Sequence, residues 1–208
     1  MNWLENTIVA LDDFNPVTAE KIMDQHATQV YGFKMNHTLF PHTIKNGLRV
    51  FADYKLYDIP KTMCSIVEHL IAHEAEMVTI NMMNCRNSLS HLAQYKDEIK
   101  LLGVSVLTSW NEVDTYEMYH KTIGDVYLET IPKMLEFGFW GMICAPVDLE
   151  YPAVKSADLR KICPGIRQVS FDALPDDPAV TVSVVTEKFS MLFIIFKDCI
   201  TSFLVLLT

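Results

Sequence analysis

Short apolar runs recur along the chain, spaced so that a helix fits between most neighbouring pairs. They lie at 8–11, 30–35, 50–52, 77–82, 104–107, 141–144, weakly at 162–163, and at 192–196. Between them, the segments 15–27, 60–75, 87–99 and 125–138 place apolar residues at three- and four-residue intervals, the mark of helices with one buried face. Apolar runs alternating with such helices predict parallel βα units. About eight units in 208 residues predict an α/β fold, a small (β/α)8 TIM barrel. No linker or low-complexity segment divides the chain, so 1–208 is expected to be a single domain, with the last βα unit the least defined. The stretch 168–178, QVSFDALPDDP, reads as a surface loop after the seventh strand.

The apolar runs tend to stop at a polar or charged residue: Asp12 after IVAL, Lys34 after YGF, Asp53 and Lys55 after VFA, Asn81 after VTI, Thr108 after SVL and Arg167 after PGI. In barrels the C-terminal strand ends carry the chemistry, so these residues are expected to meet at one mouth. The densest group is FADYKLYDIPKT, residues 51–62. Asp53 and Lys55 are two apart, so on an extended strand they point to the same side and can touch. Asp58 falls on the following loop, because Pro60 holds Ile59 extended and opens a helix containing Lys61 and Thr62. With Lys34 from the neighbouring strand, the predicted site alternates two lysines with two aspartates. Each ammonium stays charged beside its carboxylate neighbour. Such a site suits a reaction in which a negative centre develops and is then protonated, with Lys55 as the general acid. A salt-bridge network that only braces the barrel is the plainer alternative.

Composition narrows the function further. Seventeen basic and twenty-six acidic side chains give a net charge of −9 without a basic cluster, which argues against a nucleic-acid surface. The opening MNWLENTIVALDD does not read as a secretory signal, and a cytoplasmic location is expected. Five cysteines, odd in number and without a CxxC pair or a histidine at ligand spacing, predict reduced thiols rather than a zinc site. Cys144 ends the sixth strand with no basic neighbour and reads as an inert thiol. His69, His73 and His91 sit at helical spacing and read as surface or packing residues. The apolar end, 189–208, has Lys197 and Asp198 at its middle. At roughly 2.5 to 3.5 kcal/mol each in a bilayer centre, these charges favour a buried strand and helix over a membrane span.

DYKLYDIPKT resembles the DxKxxDIPxT signature of the orotidine 5'-phosphate decarboxylase family. IVALD, GFKMNHTLF, LLGVSVLTS, GFWGMICAP and CPGIR resemble the family's other segments in the right order, so the likeness covers about 6–167. DxKxxD alone is shared with related sugar-phosphate enzymes; the IPKT continuation, with VLTS and PGIR, selects this family. The resemblance implies a lyase of UMP biosynthesis that converts orotidine 5'-phosphate to uridine 5'-phosphate and CO2 with no metal or organic cofactor. It matches Lys55 to the lysine that protonates C6, Asp53 to the aspartate near the substrate carboxylate, and Lys34 to the lysine that joins the charge network and reaches the ribose. Asp12 matches a ribose-binding acid, Thr108 lies in the base-contacting segment, and Arg167 matches a phosphate-side arginine. Asp58, Ile59 and Thr62 lie in the segment that enters the partner subunit's site, so a homodimer with shared active sites is implied.

After Arg167 the pattern departs. Asp177 is followed by Pro178 where the family has glutamine, and LFIIFKDCITS replaces a strand ending in Gly-Arg, with Phe196 for the glycine and Lys197 as a point charge. Residues 178–208 are thus atypical, through divergence or a shifted reading frame. Two alternatives accompany the main expectation: a catalytically impaired barrel acting as a binding protein, and a metal-dependent sugar-phosphate decarboxylase. The latter requires an acid after the fourth strand, where this chain has Asn81-Met82-Met83.

Overall fold

The structure, a computed structural model, describes residues 6–12, 14–39, 47–164, 181–184 and 191–193. Its elements run β1 (Thr7–Ala10), α1 (Pro16–His26), β2 (Gly32–Met35), β3 (Val50–Leu56), α2 (Pro60–Ala72), β4 (Ala75–Asn81), α3 (Arg86–Leu92), β5 (Lys100–Val104), α4 (Glu112–Tyr119), α5 (Ile123–Glu136), β6 (Gly141–Ile143), α6 (Pro152–Ser156), β7 (Arg160–Cys163), β8 (Thr181–Val184) and β9 (Met191–Phe193). Strands β1 to β7 pair in sequence order, all parallel, which makes this an α/β fold of the barrel type.

Strand side chains alternate between two buried layers. Ile8, Phe51, Met77, Leu102, Ile143 and Ile162 form one cluster, while their neighbours Val9, Ala52, Val78, Leu101, Met142 and Cys163 join the larger cluster that includes the helices. The first cluster fills the concave side of the sheet and the second lies under the helices. Burial on both faces is why the strands read as unbroken apolar runs. Side-chain caps mark the start of α1, α4 and α5. Asn15 accepts the Thr18 N–H (3.0 Å) with Pro16 next to it, and Thr122 accepts the Asp125 N–H (3.1 Å) at the start of α5.

Three differences from the sequence pattern stand out. The fifth strand is Lys100–Val104, earlier than the 104–107 run, because Ser105 and Val106 already turn away toward the helices, Ser105 bonding Thr130 at 2.7 Å. Helix α4 lacks a predictive apolar stripe: of its residues only Thr115 is buried, while Val113, Tyr116 and Met118 face outward. Finally, the expected eighth strand pairs with β7 in parallel as β9, but β8 runs antiparallel along β1. Contacts between β8 and β9 bring the two edges of the sheet together, so the ring is not completed by a parallel eighth-to-first pair. The 168–178 loop lies outside the described residues.

Gly141 marks a place where two strands leave no room for a side chain. A Cβ there would lie 2.6 Å from the Arg160 carbonyl oxygen, a backbone atom that cannot swing away. Gly141→Ala is expected to destabilise the protein by about 1–3 kcal/mol, read as a lower urea midpoint at unchanged slope.

Candidate active site

The C-terminal ends of β1, β2 and β3 converge on an ion-pair cluster. Lys34 occupies an inward position on β2, since its neighbours Phe33 and Met35 both join the helix-side core. Asp53 is inward on β3 by the same alternation, two residues beyond Phe51. The Lys34 side chain is 5% exposed and pairs with Asp12 and, at 3.2 Å, with Asp53 Oδ2. Lys55 Nζ lies 2.9 Å from Asp53 Oδ1, and its side chain is 42% exposed. Asp12, Lys34, Asp53 and Lys55 thus form one alternating chain from a buried ammonium to a solvent-facing one.

Electrostatics fix the charge states. Burial works against the Lys34 ammonium, but Asp53 and Asp12 outweigh it and hold its pKa above the ordinary lysine value. Burial likewise opposes the Asp53 carboxylate, yet Lys34 and Lys55, aided by hydrogen bonds from Lys55 and Thr79, hold it below the usual range. Asp12 goes the other way: burial raises it despite Lys34. Its Oδ1 is buried and has no hydrogen-bond partner among the described residues.

The backbone at Lys55 departs from the extended strand of the sequence argument. Lys55 has φ +47°, in the left-handed region, and the β3–β4 register jumps from Ala52↔Val78 to Leu56↔Ile80. Three β3 residues therefore face one β4 residue, Thr79. Its fully buried hydroxyl accepts the Lys55 N–H at 2.8 Å and donates to Asp53 Oδ1 at 2.9 Å. The sequence reading passed over Thr79; the one signal is a lone hydroxyl inside the otherwise apolar MVTI. It also passed over Asn84, whose buried amide donates to the carbonyls of Leu56 (2.9 Å) and Asn81 (2.8 Å) and ties the end of β3 to the β4–α3 turn.

The other candidate residues lie apart from the cluster. Asp58 is exposed on the β3–α2 loop, its carboxylate accepting the Ile59 N–H at 2.6 Å. Ile59 is 65% exposed, as is Tyr57, and Thr62 is half-buried in the first turn of α2. Thr108 is exposed in the turn after β5, which the Trp110 N–H to Leu107 carbonyl bond (2.9 Å) closes. Asn81 spends its side-chain oxygen on the Met83 N–H at 2.8 Å. Arg167, Asp177, Pro178, Phe196 and Lys197 lie outside the described residues. Cys144 sits 3.7 Å from Cys163, and that contact together with burial pushes its thiol up. Among the described residues no group of three or more His, Cys, Asp or Glu side chains could hold a metal ion, and no helix is long and apolar enough to cross a membrane.

Comparison with known proteins follows the same lines. Residues 5–195 match the family described as "Orotidine 5'-phosphate decarboxylase / HUMPS family", a match that extends past Arg167 into the atypical tail. The chain is 33% identical over 162 residues to the orotidine 5'-phosphate decarboxylase of Dictyoglomus turgidum, covering 69% of this chain and 66% of that protein. It is 30% identical to the Sulfurovum enzyme of the same name, with coverages of 70% and 65%, and 31% identical to that of Dictyoglomus thermophilum, with 77% and 74%. The chain thus spans just under two thirds of the first two relatives. Solved orotidine 5'-phosphate decarboxylases from Lactobacillus acidophilus and Pyrococcus horikoshii share the fold, with TM-scores of 0.66 and 0.62 at 22% and 20% identity. The alignments cover 77% of this chain in both cases, and 80% and 79% of those chains.

Removing the Lys34 ammonium leaves two partly buried carboxylates without their shared partner. Lys34→Met is expected to cost about 3–5 kcal/mol at pH 7. Without Lys34 the Asp53 pKa rises, and a raised carboxyl pKa favours the folded state at low pH and loses that benefit as pH rises. The stability gap to wild type therefore narrows between pH 7 and pH 4, measured by urea unfolding; a constant gap would show that the lost pairing is not the cause.

Proposed function

The chain belongs to the orotidine 5'-phosphate decarboxylase / HUMPS family, and from that premise we propose that it converts orotidine 5'-phosphate to uridine 5'-phosphate and CO2 in pyrimidine biosynthesis, without a cofactor. The observation that carries this reading is the ionised, nearly buried Asp53 held between Lys34 and Lys55. Loss of CO2 leaves the bonding electron pair on C6 of the pyrimidine. The Lys55 ammonium stabilises that charge and then delivers a proton to C6, ending as a neutral amine. Asp53 holds the Lys55 ammonium in place before the bond breaks. The carboxylate of Asp12, its side chain 22% exposed, is an acceptor suited to a ribose hydroxyl, on the side where Lys34 also reaches. Thr108 faces the base and Arg167 the phosphate in this reading.

The active form is a homodimer in which Asp58, Ile59 and Thr62 serve the partner's site. Supporting this, Asp58 touches none of its own subunit's ion-pair cluster, and it is flanked by Tyr57 and Ile59, large apolar side chains 65% exposed. We also place the enzyme in the cytoplasm, in keeping with the free thiols of Cys64, Cys85, Cys144 and Cys163.

Decarboxylation is followed by the change in pyrimidine absorbance. Wild type is expected to turn over substrate equally with and without a chelator, and Lys55→Ala to lower kcat by about 10²–10⁴-fold. No turnover by wild type, or turnover indifferent to Lys55→Ala, overturns the reading. Because the Gly-Arg phosphate grip is absent from the sequence, KM is expected to exceed that of the Dictyoglomus turgidum relative measured alongside, with a lower kcat. Shared sites make a further demand: Lys55→Ala and Asp58→Ala proteins, each inactive alone, should regain about a quarter of wild-type activity when subunits are exchanged, since one of the two sites in each mixed dimer is intact. Independent sites would give no recovery.

A further inference from the structure

We propose that Thr79 is a positioning residue for the protonation step, the clamp that holds Lys55 in its left-handed conformation and so aims its ammonium along Asp53. The inference rests on the decarboxylase reading only for its kinetic consequence; the clamp itself is a matter of geometry.

A long side chain with a Cβ occupies φ near +47° only where its surroundings impose it. Lys55 is so placed because β3 carries two residues more than β4 across this interval, between the pairs Ala52↔Val78 and Leu56↔Ile80. Such a bulge leaves backbone groups without ladder partners. The amide of Lys55 is satisfied instead by the Thr79 hydroxyl at 2.8 Å. A hydroxyl has one proton to give, and with its oxygen taken up as acceptor for Lys55 that proton goes to Asp53 Oδ1, 2.9 Å away. Asp53 Oδ1 also receives the Lys55 ammonium at 2.9 Å.

The result is a closed circuit: Lys55 amide to Thr79 hydroxyl, hydroxyl to Asp53, Asp53 to the ammonium of the same Lys55. Two ends of one residue are thereby fixed against a single carboxylate oxygen. Thr79 touches neither the ammonium nor any reacting atom, so its part is placement alone. It is fully buried on β4, a central strand of the sheet, and belongs to neither apolar cluster. Asp53 Oδ2 is meanwhile occupied by Lys34, which leaves the carboxylate little freedom to rotate.

Thr79→Val keeps the shape and removes both bonds. It is expected to lower kcat about 10–100-fold with KM changed less than threefold, as a displaced proton donor requires. Losing a hydrogen bond to its charged form raises the Asp53 pKa, so the acid limb of the kcat/KM profile moves to higher pH. Thr79→Ser retains the hydroxyl and is expected to stay within about threefold of wild type on both measures. A thiol is a weak donor and acceptor, so Thr79→Cys should fall between the two, and it serves if the valine protein does not fold. Hydrogen exchange at the Lys55 amide is the readout independent of turnover: faster in the valine or cysteine protein, unchanged in the serine one. Valine or cysteine variants with wild-type kcat and acid limb overturn the proposal, as does unchanged Lys55 exchange. If wild type itself is inactive, the decarboxylase reading falls and the exchange measurement alone decides the clamp.

Discussion

A lysine ammonium removed from water costs several kcal/mol unless negative charge stands beside it, and the mouth of this barrel is organised around that demand at Lys34. Two carboxylates meet it, from the ends of β1 and β3, which means three strands must arrive at the same height. The parallel registers Ala10↔Lys34 and Lys34↔Phe51 set that height. Asp53 cannot belong to Lys34 alone, because its second oxygen turns outward to Lys55. Charge is thus relayed from a fully sheltered position to one open to a ligand, and the outer ammonium inherits its placement from the inner pair.

The far end of the barrel obeys the same electrostatic rule with a different result. Tyr31 donates to Glu76 at 2.9 Å and receives Lys100 at 2.9 Å, while Lys100 also pairs with Glu76, at the N-terminal ends of β4 and β5. Arg49 lies over the Tyr31 ring and Arg160 over Trp140. There aromatic rings and cations stack on one another, whereas at the mouth the line of charges ends on the half-exposed ammonium of Lys55. Charge pairing recurs at both ends, and position along the strands separates a floor at their N-terminal ends from the rim at their C-terminal ends, where barrels carry their chemistry.

Much of this was readable in the chain itself. Apolar runs separated by amphipathic segments specify the order β1 to β7, and polar residues at run ends include Asp12, Lys34, Asp53 and Lys55, which meet, beside Asn81 and Thr108, which lie apart from them, and Arg167, outside the described residues. What escaped the reading has physical causes. Helix α4 carries no apolar stripe for periodicity to find, with Val113, Tyr116 and Met118 turned to solvent. The antiparallel β8 depends on pairing between residues far apart in sequence, which no local pattern encodes. Period-two alternation puts Lys55 and Asp53 on one side, and they do meet, but through a left-handed residue and a bulge rather than a straight strand. Propensity rules assign such conformations to glycine, so a lysine there is visible only in three dimensions.

The bulge carries two extra residues, an even number, and evenness matters to a structure with period two. Ala52 before it and Leu56 after it both join the helix-side core, and so do their partners Val78 and Ile80. Leu56, the last residue of the strand, thus keeps the face that plain alternation gives it. Lys55 therefore sits in a short excursion to which the packing of the barrel is indifferent, a stretch adjustable in sequence without rearranging the side chains that support it.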